Sequence, residues 1–196
     1  MPRPSIAAER QEEILQAFET CALRNGLEAT TLEDVAEEAG LQRSLVRHFM
    51  GNRADMVSGL IERMMLRASD AIEQALTATG DRREEDLLRI VLNTAFFDPI
   101  TNRLMIQLWQ QSWTDEDLRT QLEGVYRRCV EQIRDRLYPN ATQPTFDSAY
   151  ALTAMALGNA VFDQFNVRPS SEAALVQAGQ AVAQLPTTDA KRKRSR

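Results

Sequence analysis

The chain has a single histidine, two cysteines and an aromatic content of 6%. One histidine leaves too little for a His-ligated metal site or a His-based catalytic triad, and the acids show no paired arrangement beyond solvated helical faces. No enzyme chemistry, metal or cofactor is therefore expected. Cys21 and Cys129 stand alone, without Cys-x-x-Cys or Cys/His clustering, so they read as reduced core thiols. No apolar run approaches the ~20 residues that cross a bilayer, and no charged-plus-apolar leader opens the sequence. A cytoplasmic protein without membrane contact is expected. Phosphate-cradling glycine loops and internal repeats are missing too. Strand signals are nearly absent, because β-branched residues are scattered through segments of helical period.

What is present is helical punctuation over 196 residues, enough for a small head and one further core. The pattern predicts an all-α fold of about nine helices: a three-helix head with a helix-turn-helix, then a helical body. Helix one is predicted from Ala7 to Asn25, with Gly26 ending it. The next segment holds two short helices, and a long helix four follows from Arg53 to Thr79. Helices five to nine are predicted over Arg83–Phe97, Ile100–Trp113, Glu116–Tyr138, Phe146–Asn166 and Ser171–Leu185, with Pro139 and Pro144 bracketing a loop. The expected domains are 1–52, a helix-turn-helix head, and 53–185, a helical body. Residues 186–196, ending Lys-Arg-Lys-Arg-Ser-Arg, form a tail expected to be disordered.

The most informative stretch is Thr30 to Met56. Thr30 and Glu33 have the spacing of a capping box, which would open the second helix. Val35, Ala36 and Ala39 make an apolar stripe, and Gly40 stands where a left-handed residue ends a helix without steric cost. Leu41 would plug the corner, and Leu45, Val46 and Phe49 would point inward from the third helix. Small residue, glycine and apolar residue at these separations suit a helix-turn-helix, whose second helix enters a DNA major groove. An ordinary αα-hairpin shares the spacing, but the outward face of the third helix argues against it. That face offers Gln42, Arg43, Ser44, Arg47 and His48 over ~13 Å. Arg43 can bond guanine bidentately, Gln42 suits adenine and Ser44 either base. Arg47 and His48 sit a turn later, toward the flanking phosphates, and Arg53 opens the next helix toward the same backbone.

The net charge of −5 runs against a nucleic-acid binder. Residues 1–60 carry six arginines against ten acids. None of those acids lies on the third helix, and the local field of the docking face matters more than total charge. A helical sensor or scaffold that no longer binds DNA is the competing reading, and it rests on this acidity.

The segment resembles the TetR family of one-component transcriptional regulators. The residues that carry the likeness are Gly26, Thr30-Thr31, Val35-Ala36, Ala39-Gly40-Leu41, Ser44-Leu45-Val46, Arg47-His48-Phe49-Met50 and Gly51-Asn52-Arg53, over about the first sixty positions. Arg47 stands where that family usually has a phosphate-touching tyrosine, Met50 where it has phenylalanine, and Arg53 where it has lysine. The resemblance implies that Thr31, Arg47, His48 and Arg53 hold the DNA backbone, with Gln42, Arg43 and Ser44 nearest the bases. It also implies a homodimeric repressor that binds a palindromic operator in double-stranded DNA and is released by a small molecule.

In the body, an apolar stripe of aromatic and soft side chains reads either as core or as a ligand pocket. The candidate effector contacts are Phe97, Met105, Trp109, Trp113, Tyr126, Asn159 and Phe162. The run from Trp109 to Tyr126 faintly resembles the choline-responsive repressor subgroup of the same family. Helices eight and nine carry many small residues, which fit equally close packing within the chain and an interface across a two-fold axis. The family likeness favours a homodimer through about 146–166 and 171–185.

Overall fold

A computed structural model describes residues 6–78, 84–93, 98–138 and 145–183. Among these the chain is all helix: α1 Ile6–Asn25, α2 Leu32–Ala39, α3 Arg43–Met50, α4 Arg53–Ala78, α5 Glu84–Asn93, α6 Pro99–Ser112, α7 Glu116–Leu137, α8 Phe146–Asp163 and α9 Glu172–Ala183. The expected order and class are observed. The loop between Pro139 and Pro144, Phe96 and Phe97, and the tail from Pro186 lie outside the described residues.

The punctuation differs in three places, each for a local reason. The α2 cap falls one residue later than Thr30. Thr30 is buried, with its hydroxyl donating to the Gly26 carbonyl at 2.8 Å. Thr31 caps instead: its Oγ1 accepts from the Asp34 amide at 3.2 Å, and Asp34 Oδ2 accepts from the Thr31 amide at 2.8 Å. The sequence holds both Thr-x-x-acid frames, and burial of Thr30 selects the second. The sixth helix stops at Ser112, before Trp113. There the amides of Trp113 and Thr114 turn back to the carbonyls of Gln110 and Gln111, in tighter i−3 bonds. The eighth ends at Asp163 because Asn166 takes a left-handed φ of 57°, and the Val167 amide closes onto the Phe162 carbonyl.

Two compact units result. The first comprises residues 1–68 and 99–119, the second 69–98 and 120–196. The sequence placed its functional boundary at the start of α4; the compact units divide that helix at Ala68/Ser69.

The first unit has a core of Ile14, Phe18, Cys21 and Ala22 from α1, Leu27, Val35 and Ala36, Val46 from α3, and Met56 and Leu60 from α4, all buried. Leu104 and Leu108 of α6 are wholly buried as well. A fully buried side chain of this size contributes about 1.5–3 kcal/mol. Gln107 of α6 accepts from the Leu27 amide, which satisfies a donor in the α1–α2 turn. A charged cluster joins α1 to α4. Glu19 is buried with its side chain 3% exposed, and both carboxylate oxygens are held by arginines. Arg63 Nη1 lies 2.8 Å from Glu19 Oε2, and Arg67 Nη1 and Nη2 lie 2.6 and 2.7 Å from Oε1 and Oε2. Arg63 also donates to Gln16 at 2.6 Å and pairs with Glu12 at 2.7 Å.

In the second unit α5 packs on both α8 and α9. Val91, Leu92, Val130, Ile133, Ala149 and Ala156 make one buried cluster, and Leu88, Leu152 and Val176 another. The small residues of one α8 face thus serve packing within the chain. Gly179 of α9 shows how close that packing is, since an added Cβ would stand 2.7 Å from Leu92 Cδ1.

Candidate nucleic-acid interface

Gly40 sets the angle between α2 and α3. Its φ of 63° and ψ of 31° place it in the left-handed region. That conformation lets its amide reach the Glu37 carbonyl at 3.1 Å, and the Leu41 amide the Ala36 carbonyl at 2.9 Å. Ala36 is 3% exposed and Val46 wholly buried, as a helix-turn-helix corner requires. Leu45, expected to point inward, is 40% exposed. The correction follows from helical geometry: a neighbour of the buried Val46 is turned ~100° away from it on a 3.6-residue helix. Phe49 and Met50 are half-buried and complete the inner face. Gln11 of α1 donates to the Phe49 carbonyl at 3.0 Å, a tie for which the sequence carries no pattern.

The outer face of α3 carries Arg43, Ser44, Arg47 and His48, all exposed and without an acid among them. Gln42 caps the helix by its backbone alone, so its exposed amide is left available. His48 stacks edge-on against Phe49, with ring centroids 5.0 Å apart at 73°. Arg43 Nη1 lies 3.9 Å from Glu33 Oε2. Arg43, Ser44, Arg47 and His48 fall within ~140° of one another around a 3.6-residue helix.

The two flanking candidates are engaged elsewhere. The Thr31 amide and hydroxyl are both occupied by Asp34, and these bonds hold the Asp34 carboxyl below its usual pKa of 3.8. Arg53 is half-buried and donates to the Leu27 carbonyl, tying the start of α4 to the α1–α2 turn. Besides Glu33, four of the ten acids in residues 1–60 are paired locally with arginines. Arg10 holds Glu13 at 2.5 Å and Arg24 holds Glu38 at 2.9 Å, while Glu12 and Glu19 belong to the Arg63 cluster. The Glu38 carboxylate raises the Arg24 pKa further, so Arg24 stays cationic.

The seven candidate effector contacts do not share one compact unit. Met105 and Trp109 are half-buried on α6, and Trp113, beyond its end, is 83% exposed. All three lie in the first unit. In the second, Tyr126 is half-buried on α7 and Phe162 is 58% exposed. Asn159 donates to the Leu92 carbonyl at 3.2 Å, a structural tie between α8 and α5. Phe97 lies outside the described residues. Among the described residues no group of three or more His, Cys, Asp or Glu side chains could hold a metal ion, and no helix is long and apolar enough to cross a membrane.

No protein-family model matches the chain. The helix-turn-helix-type transcriptional regulator YfiR of Bacillus subtilis (strain 168) is 30% identical over 156 residues, which cover 76% of this chain and 73% of that protein. A solved structure of a TetR transcription regulator from Haloarcula marismortui ATCC 43049 superposes with a TM-score of 0.70 at 15% identity, covering 89% of this chain and 96% of that one. The chain belongs to the TetR family. TetR-family membership makes it a DNA-binding transcriptional regulator rather than an enzyme. The helix-turn-helix-type regulator BetI of Stenotrophomonas maltophilia (strain R551-3), 21% identical over 180 residues, matches 87% of the chain and 91% of its own length. That match extends well past the TetR head into the body.

Proposed function

We propose that the protein is a homodimeric, effector-released repressor that reads a pseudo-palindromic duplex in the cytoplasm. The observation that carries the reading is the outer face of α3, where Arg43, Ser44, Arg47 and His48 project together with no acid among them. Arg43, at the start of the helix, reads a base edge, with Gln42 and Ser44 beside it. Arg47 and His48 hold phosphate, Arg47 by charge where a neutral hydroxyl would donate one bond. Thr31 and Arg53 act at the DNA indirectly, by fixing the ends of α2 and α4 through the bonds described above.

Dimerisation is supported by an apolar face that α8 leaves uncovered. Tyr150 and Phe162 are 61% and 58% exposed, with Ala154 exposed between them, and Phe165 beyond the helix end is 69% exposed. On α9 Ala173, Ala174, Ala178 and Ala181 are exposed as well. A second copy would cover these residues, and two copies place two α3 helices on one duplex about 34 Å apart. The effector is a small, largely apolar molecule that binds the body and favours a conformation whose two recognition helices no longer fit successive grooves. The α4 helix, continuous from Arg53 to Ala78, would carry the change in this scheme.

Selection from a random duplex pool tests the reading. A two-fold symmetric site is expected, with affinity falling steeply as salt rises. No sequence preference at low salt refutes it. Phe162→Asp should give a monomer by light scattering and abolish tight operator binding. Effector binding should weaken operator binding, and saturating operator should weaken effector binding by the same factor.

A further inference from the structure

The capping register of α2 has a consequence at the DNA-reading surface. Because Thr31 and Asp34 form the reciprocal cap, the Glu33 carboxylate takes no part in it. Glu33 instead points toward α3, its Oε2 3.9 Å from Arg43 Nη1, with the two side chains 73% and 65% exposed. The geometry points to Glu33 as a positioning residue for base reading, which orients the Arg43 guanidinium without touching DNA itself. This inference rests on the DNA-binding role of α3 proposed above.

The physical case has three parts. A guanidinium presents five donors in a flat fork, so a carboxylate on one edge leaves the other free for the two acceptors of guanine. A long, exposed arginine side chain otherwise samples many rotamers, and the carboxylate narrows that set before the duplex arrives. The negative charge beside Arg43 also discourages a phosphate from approaching and diverting it from the groove. Arg47, one turn along the same face, has no carboxylate paired with it among the described residues, which suits a backbone contact. The two arginines thereby acquire different tasks from their surroundings. The interaction must be weak enough to survive as an orienting contact, and an exposed ion pair meets that condition.

The probe is the duplex that the wild-type protein enriches from a random pool, with single-base replacements at each half-site position. Full-length Glu33→Gln, Arg43→Lys and the double variant are compared with Glu37→Gln. Glu37 is an exposed acid on the same helix that is not paired with an arginine among the described residues. Glu33→Gln should lower discrimination at one position per half-site by about two- to fivefold, the size of an exposed ion pair. Glu37→Gln should tighten all duplexes about equally and leave discrimination unchanged. In the Arg43→Lys background, which lacks the fork, Glu33→Gln should no longer alter base preference. Glu33→Gln acting like Glu37→Gln, or shifting preference equally without Arg43, overturns the positioning role while leaving DNA binding intact. A wild-type protein that enriches no duplex overturns the DNA-binding reading, and this inference with it.

Discussion

Glu19 offers the sharpest test of how the first unit is held together. Its carboxylate, 3% exposed, receives three arginine donors at 2.6–2.8 Å from Arg63 and Arg67. Replacement by glutamine keeps the shape but removes the charge, and leaves two guanidiniums facing a neutral amide. Breaking a buried ion pair by removing one partner costs about 3–5 kcal/mol, since the surviving charge loses its compensation. Arg67 is 35% exposed, and Arg63 keeps Glu12 and Gln16, so the loss should sit at the lower end. We predict ~3 kcal/mol for Glu19→Gln, which corresponds to about 6–12 °C in Tm for a chain of this size. Urea unfolding followed by helical circular dichroism, at one fixed protein concentration, measures it. Arg10→Ala is the control: its pair with Glu13 is 44% and 51% exposed and should contribute under about 1 kcal/mol. If Glu19→Gln and Arg10→Ala destabilise equally, the buried cluster does not join α1 to α4 energetically. Replacing all three of Glu19, Arg63 and Arg67 by apolar residues of similar volume should cost much less than Glu19→Gln alone.

Thr31→Ala should destabilise by about 1 kcal/mol in the same assay by removing the α2 cap, while Thr31→Ser, which keeps the capping hydroxyl, should cost much less. Gly40→Ala should cost about 1–2 kcal/mol through backbone strain alone, since an added Cβ would meet nothing within 4 Å at a φ of 63°. Asn at the same position should recover part of that loss. Burial pushes the Cys129 thiol from its usual 9.0 up to about 11, and burial raises Cys21 as well. In the unfolded chain both thiols ionise earlier, so this contribution to stability is complete below pH 9 and is lost as pH rises toward about 11. Native protein at pH 7.5, below the usual thiol value of 9.0 and far below about 11, should therefore react slowly with a thiol reagent, and denatured protein faster. Fast labelling of Cys129 in the native state would contradict its burial.

The sequence by itself determined the elements whose causes are local. Gly40 and Gly26 ended helices because only a glycine takes their positive φ at no cost. Val46, Ala36 and Phe18 were legible as core because a 3.6-residue period separates inner from outer faces. Arg43, Ser44, Arg47 and His48 were legible as one surface for the same reason. Tertiary structure decided what depends on residues far apart. Burial of Thr30 chose between two equally spaced capping frames, and so released Glu33 toward Arg43. Arg53 met the Leu27 carbonyl 26 residues away, where the sequence saw only a cation near DNA. Trp113 looked like part of an inner stripe until α6 ended one residue before it and left it in solvent. The small residues of α8 divided between a face packed on α5 and a face left open. Helical period shows which residues share a face, but not which neighbour, if any, that face meets.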